Sequence, residues 1–289
     1  TDDLHLIVTG PLTNLAAFAE AHPEHYAELK HITVMGGAVN YPGNTTPSAE
    51  WNFWVDPHAA SEVFARTPVP ITLCSLGVTE QMVLTPKALE GFVAGLGGAD
   101  VAKQLPEITR FYFEFHEDVG EGYRAQIHDL LAVLIGLGFV EHAGRVTTVD
   151  VEADSPLMRG TSVADLRGIW GREPNARLVT DADVELAWGW FTWACEVHAK
   201  VAAGDAEAAR LCLPGGLTEE AAGKIVLCER GLARQPGEPM LSHLLAAVLF
   251  AKGEIAPARS HIEASLARRP DNAAAQLLAA RLARTGGEF

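Results

Sequence analysis

Three short apolar runs in the first part of the chain, LHLIVT (4–9), HITVMGGA (31–38) and VPITLCSL (69–76), are separated by two segments of helical character. The first connector, LTNLAAFAEAH (12–22), spaces its apolar residues at three and four, and Pro23 lies just past its end. The second opens at Asp56-Pro57 and runs through HAASEVFAR. An aspartate cap followed by proline in the first turn is a good helix start. Strand, helix, strand, helix, strand leads to an α/β fold: an open, mostly parallel, Rossmann-like sheet with covering helices. Ligands of such sheets sit outside the carboxyl ends of the strands. Thr9, the loop after Met35 and the turn after Leu76 all fall at those ends.

Further along, residues 86–118 and the apolar HDLLAVLIGLGF (128–139) read as helical, and DVELAWGWFTWACEVHAKVAA (183–203) as one long helix. RVTTVDVEA (145–153), TSVAD (161–165) and ARLVT (176–180) read as short strands. Past residue 203 alanine, leucine and arginine dominate, and LARQP (232–236) returns as LARRP (266–270), 34 residues later. That is the tetratricopeptide period. Leu245, Ala246 and Leu249 would lie on a first helix, Gly253 at the turn, and Ala258, Ile262 and Pro270 on and after a second. An ordinary helical hairpin is the alternative, since LPGG (213–216) interrupts the preceding unit. The expected organisation is an α/β domain over 1–203 and an all-α helical-repeat tail over 204–289. The chain opens at Thr1 and enters an apolar strand almost at once, so further chain is expected before it.

Charge narrows the partners. Asp and Glu outnumber Lys and Arg by 37 to 22, a net −15, which disfavours nucleic-acid polymers and anionic membranes but not a small neutral ligand. No apolar run reaches the roughly 18 to 20 residues of a membrane span. Cys74, Cys195, Cys212 and Cys228 match no zinc or disulfide spacing, so free thiols in a reducing cytoplasm are expected.

One stretch fits no simple period: GNTTPSAEWNFWVDP (43–57). It sets Asn44, Glu50 and Asn52 among Trp51, Phe53 and Trp54. Amides and a carboxylate match vicinal hydroxyls, and rings cover the apolar face of a ligand. A self-satisfied surface loop with core aromatics is the plainer alternative. Asp56 is best explained as a helix cap. The other pair is His128-Asp129. Asp129 is either an N-cap or a ligand for a hard cation such as calcium. His128 is either structural or a general acid, because its ordinary pKa lies near neutrality.

VTGPLTNLA (8–16), VMGGA (34–38), the loop 43–60, VTEQ (78–81) and HDLLAV (128–133), in this order, resemble the inosine–uridine-preferring nucleoside hydrolase family. So does VDVEADSPLMRGTSVADLRG…PNARLV (149–179), and the resemblance covers roughly residues 4–200. It implies cleavage of the N-glycosidic bond of ribonucleosides to ribose and free base, with one Ca2+ in an open α/β sheet. It implies that the Thr9 carbonyl and the Asp129 carboxylate ligate calcium. It implies that Asn44 and the Met35 backbone hold the ribose 5′-hydroxyl, and that Glu50 and Asn52 hold the 2′ and 3′ side. Phe53 would line the sugar pocket, and His128 would protonate the leaving base.

The sequence departs from this pattern in three places. The family's aspartate cluster, expected upstream of VTGPLTN, is absent, and Asp2-Asp3 precedes the wrong strand. Calcium would then draw about two protein ligands from this chain against six to eight oxygens needed. Gly77 stands where the family has aspartate, and Leu130 where it often has proline. Incomplete activity and self-association are therefore expected, with a homo-oligomer among the outcomes. The alternative is a degenerate, non-catalytic domain whose helical tail binds a protein partner. A dinucleotide-dependent dehydrogenase is disfavoured, because MGGAVNYPG (35–43) lacks the G-x-G-x-x-G spacing.

Overall fold

The computed structural model describes residues 4–203, 228–229, 232, 239–251, 253–270 and 272–285. Asp2-Asp3, Cys212, LPGG (213–216) and residues 233–236 of the first repeat motif lie outside the described residues. In chain order the elements are β1 (His5–Val8), α1 (Thr13–Ala21), α2 (Pro23–Ala27), β2 (His31–Met35), α3 (Trp51–Val55), α4 (Pro57–Arg66), β3 (Ile71–Cys74) and α5 (Leu76–Thr79). Then come β4 (Val83–Leu84), α6 (Pro86–Gly95), α7 (Asp100–Asp118), β5 (Ala125–Gln126), α8 (His128–Gly136), β6 (His142–Thr147), β7 (Val149–Val151), β8 (Ser162–Ala164), β9 (Ala176–Ala182) and α9 (Val184–Ala202). Three more helices follow, α10 (Pro239–Ala251), α11 (Ile255–Arg268) and α12 (Ala273–Thr285).

The main sheet has the order β1-β2-β3-β9-β6. Its first four strands are parallel, and β6 closes it antiparallel to β9. The open, mostly parallel sheet with covering helices is thus present. Ile32, Val34, Ile71, Leu73 and Leu178 point to one face, where they pack with Leu15, Val63, Phe64 and Phe53. Each fully buried aromatic or aliphatic side chain there contributes roughly 1.5–3 kcal/mol. On the other face lies α8, whose Gly136 has room for only a hydrogen: a Cβ would fall 2.9 Å from Ile7 Cδ1 and 3.1 Å from Thr33 Oγ1.

Asp56 caps α4 as expected, accepting from Ala59 N at 3.0 Å, while Thr13 donates to its other oxygen at 2.6 Å. Pro23 ends α1 and opens α2, a second helix the spacing did not predict. Cys74, Cys195 and Cys228 are free and buried.

Contacts divide the chain into two compact units. One holds the chain up to Thr85 with His116–Val184, and contains the main sheet. The other joins Pro86–Phe115 to the described residues from Glu185 onward. Within the latter, Phe92 stacks on Trp188 at 5.4 Å and meets Phe191 edge-on at 4.8 Å. There α10 and α11 form a helical hairpin around Gly253, with Leu245, Leu249, Ala258 and Ile262 buried. No helix among the described residues is long and apolar enough to cross a membrane.

Candidate active site

The loop after β2 folds back so that Glu50 caps the short helix α3. Glutamate is a poor cap in general, but here both oxygens are used. Asn52 N donates to Oε1 at 2.8 Å, and Gly37 N and Phe53 N donate to Oε2 at 2.8 and 3.2 Å. Gly37 can face the carboxylate because it adopts φ +76°, a conformation glycine reaches without strain. Glu50 is 2% exposed. Burial raises its pKa, its three amide donors oppose that, and Asp129 adds repulsion; the net direction is upward.

Asn52, 6% exposed, donates through Nδ2 to the Met35 carbonyl at 3.1 Å, at the carboxyl end of β2. Glu50, Asn52 and Met35 therefore form one knot. Asn44 is exposed and accepts from Trp51 N at 3.0 Å, which ties it to the start of α3. The rings divide. Phe53 is fully buried against Phe64, with centroids 5.7 Å apart, and lies under Gly36 and Gly37. Trp51 is 55% exposed and stacks on Trp54.

The hairpin of β7 and β8 braces this loop from the side. Ala38 N donates to Ser162 Oγ at 2.9 Å, Ser48 and Thr161 share a 2.8 Å hydroxyl bond, and Ala49 bridges Thr161 through the backbone. Gly160, at φ +77°, lies against Trp54: a Cβ there would stand 2.6 Å from Trp54 Cα.

His128 and Asp129 occupy the first turn of α8. The cap position is Ile127, so Asp129 is not the N-cap but an acidic residue in the first turn, where it favours the helix dipole. Its side chain is exposed at the surface, yet partial desolvation raises its pKa. His128 Nδ1 meets the buried Thr79 hydroxyl at 3.0 Å. Burial, with repulsion from His116, pushes the His128 imidazole down to about 4, so it is neutral at pH 7. Next to Thr79, Glu80 accepts from Tyr41 OH at 2.7 Å, and the Tyr41 ring covers Gly77, where a Cβ would sit 3.3 Å from it. Thr9 is exposed just past the end of β1, and no hydrogen bond joins it to the other candidates among the described residues.

Thr79, Tyr41, Glu80, Ser162 and Thr161 were not singled out from the sequence. The partnership of Thr79 with His128 spans 49 residues, and no local pattern announces it. Oxygen donors suited to a hard cation are present in Asp129 and Thr9, and a cation nearby would bring down both raised carboxyls. Among the described residues, however, no three His, Cys, Asp or Glu side chains are grouped to hold a metal. These residues alone do not make a calcium site.

Together these features define an α/β protein with an oxygen-rich site at the carboxyl edge of its sheet. The chain belongs to the inosine-uridine preferring nucleoside hydrolase family, which matches residues 1–189. It is 34% identical over 185 residues to the pyrimidine-specific ribonucleoside hydrolase RihA of Salmonella arizonae, a match covering 62% of this chain and 57% of that protein. RihA of a Shewanella species is 35% identical over 179 residues, covering 62% and 55%. Among solved structures, the purine-preferring ribonucleoside hydrolase from Gardnerella vaginalis superposes with a TM-score of 0.60 at 27% identity, over 68% of this chain and 62% of that one. A plant nucleoside hydrolase gives 0.57 at 25% identity, over 66% and 61%. The chain spans less than two thirds of the length of these relatives.

Proposed function

We propose that this chain carries the sugar-binding and leaving-group side of a nucleoside N-ribohydrolase site, which splits ribonucleosides into ribose and free base. The observation that supports this most is the knot of Glu50, Asn52 and Met35 at the carboxyl edge of β2, electrostatically coupled to Asp129. In the reaction the C1′–N bond breaks, a water oxygen bonds to C1′, and one water proton ends on the base. Positive charge grows on the ribose as the bond stretches. Glu50 and the Asn52 amide oxygen lie in a fixed, dry frame and stabilise that charge without reorganising. A neutral His128 that accepts the Thr79 proton at Nδ1 carries its own proton on Nε2. That N–H is the hydrogen-bond donor we assign to the departing base. The proton the base keeps comes from the attacking water, because a neutral imidazole that gave up its Nε2 proton would be left as an imidazolate. Asp129 and the Thr9 carbonyl are the oxygens a calcium ion would use, and such an ion would orient the hydroxyls. A small nucleoside in the cytoplasm is the substrate this reading implies.

Ribose release from inosine and from uridine, with calcium and with a chelator, tests it. The expected result is release that falls about 10²-fold or more in His128→Ala. Release unaffected by both His128→Ala and Asn52→Ala would sink the assignment.

A second reading is a non-catalytic domain that keeps the fold and uses the α10–α11 hairpin, as a tetratricopeptide-like unit, to bind a protein partner. Gly77 under the Tyr41 ring, where the resemblance leads one to expect an aspartate, favours it. Absence of ribose release, together with unchanged melting on adding calcium, would select this reading.

A further inference from the structure

The turn after β8 and the loop after β2 enclose a cleft of about 450 Å3, lined by Asn40, Ala164, Leu166, Arg167, Ile169 and Trp170 among others. Its volume lies within the roughly 300–1,000 Å3 of small-molecule sites. Met35, Glu50, Asn52 and His128 do not line it. On the loop side Asn40 holds φ +52°, the one positive value of a non-glycine residue among those described. Asparagine tolerates this conformation better than most residues do. The turn on the other side is held from within. Asp165 accepts from Arg167 N at 3.3 Å, Ile169 N at 2.9 Å and Trp170 N at 2.6 Å. Arg172, paired with Asp150, lies 4.5 Å over the Trp170 ring. Arg172 does not line the cleft, so the cleft meets Trp170 away from that guanidinium.

The lining brings two kinds of chemistry. Ala164, Leu166 and Ile169 are apolar, and Trp170 adds a ring that is 40% exposed. Flat π-systems stack on such rings whatever their edge pattern. Arg167 carries five N–H donors and no acceptor, and Asn40 one carbonyl oxygen and one NH2. Among the described residues no hydrogen bond or ion pair holds either side chain. A matching ligand is flat and apolar on its faces. Along its edge it has an N–H beside a carbonyl for the Asn40 amide, and further acceptors for the Arg167 fork. A carboxylate ligand would satisfy Arg167 but offer the Asn40 oxygen no donor. A free oxo-nucleobase meets every requirement: hypoxanthine has N1–H beside C6=O and offers N7, and uracil sets N3–H between two carbonyls.

We propose that this cleft binds a free oxo-nucleobase, stacked on Trp170, with Asn40 on its N–H and carbonyl edge and Arg167 on its remaining acceptors. The choice of a nucleobase over another flat amide rests on the reaction proposed above, which releases one. The cleft also adjoins the recognition loop. Ala38 N donates to Ser162 Oγ, and the cleft begins two residues beyond each partner, at Asn40 and Ala164. A base seated there ties the loop after β2 to β8 a second time, so the released product steadies the segment that carries Glu50 and Asn52.

Hypoxanthine and uracil are the probes. Calorimetric titration is expected to show binding that Trp170→Leu and Arg167→Gln each weaken about tenfold. Asn40→Gly keeps the left-handed backbone, removes the amide and is expected to weaken binding too. Trp170, Arg167 and Asn40 are all exposed, so these replacements spare the core, and thermal unfolding checks that each variant folds. 1-Methylhypoxanthine lacks the N1–H and is expected to bind about tenfold more weakly than hypoxanthine. Equal affinity would make the cleft an unspecific apolar slot and overturn the assignment. Asn52→Ala, at the hydrolase site, is expected to leave the cleft affinity unchanged. Binding lost in Asn52→Ala but kept in Trp170→Leu would put the base in the hydrolase site, which overturns the cleft and spares the hydrolase reading. Binding with the expected losses, but without ribose release, keeps the cleft and removes the hydrolase reading. No binding of either base overturns the proposal.

Discussion

Glu50 Oε2 accepts a 2.8 Å hydrogen bond from Gly37 N, across 13 residues of chain. That bond closes the loop after β2 on itself and fixes the height of the carboxylate over the sheet edge. Its companions at Asn52 N and Phe53 N leave no room for an amide in place of the carboxylate. In Glu50→Gln the new NH2 would oppose at least one backbone N–H. The expected loss is about 1–3 kcal/mol. Denaturant unfolding measures it, and a midpoint equal to wild type would show that Glu50 does not hold the loop.

Gly160 tests the brace from the β7–β8 hairpin. Alanine there must adopt φ +77° with its Cβ 2.6 Å from the Trp54 backbone. Gly160→Ala is expected to cost about 1–3 kcal/mol and to release the Ser48–Thr161 contact. Amide exchange in residues 43–50 should quicken in step with the fall in melting temperature.

Thr79→Val keeps the shape of the side chain and removes the hydroxyl from His128 Nδ1. Loss of this half-buried bond is expected to cost about 1 kcal/mol. Nitrogen-15 spectra of the His128 ring provide the sharper readout. One tautomer should dominate in wild type and a mixture in Thr79→Val; identical ring spectra would remove Thr79 from the site.

His31 makes a pH prediction whose sign follows from its lowered value. A histidine harder to charge when folded than when unfolded leaves stability intact above 6.5, and stability is lost as pH falls below that toward the lowered value. Melting temperature should therefore drop on acidification through this window. His31→Gln should flatten the drop; an unchanged slope would mean that His31 is solvated like any surface imidazole.

The framework was legible because it is periodic. Apolar runs gave β1, β2 and β3, and Asp56-Pro57 gave the start of α4, since each signal lies within a few residues. Helix α3 was not legible: five residues are too few to show a period, and glutamate is an uncommon cap. Two-residue strands such as β4 and β5 escape for the same reason. The candidate site was half legible. Glu50, Asn52, His128 and Asp129 stand out through resemblance and residue type. Their supports, Thr79, Tyr41, Ser162 and Thr161, do not, because hydroxyls are common everywhere and their partners are distant in sequence. Asp129 read equally well as a cap, and only the backbone of α8 shows that Ile127 holds that place.

The hydrogen bond from Ala38 to Ser162 joins residues 124 apart. Closing so long a loop is entropically late, whatever the order in which the local helices form. During synthesis the segment that carries Asn44, Glu50 and Asn52 emerges long before the hairpin that braces it. Until the strands near residue 162 arrive it has only its local bonds, among them the Glu50 cap, Asn44 to Trp51 and Asn52 to Met35. This loop then gains its final shape only after the β7–β8 hairpin has formed. A chain stalled or cleaved between the two would keep the motif intact but lack the geometry that gives it meaning.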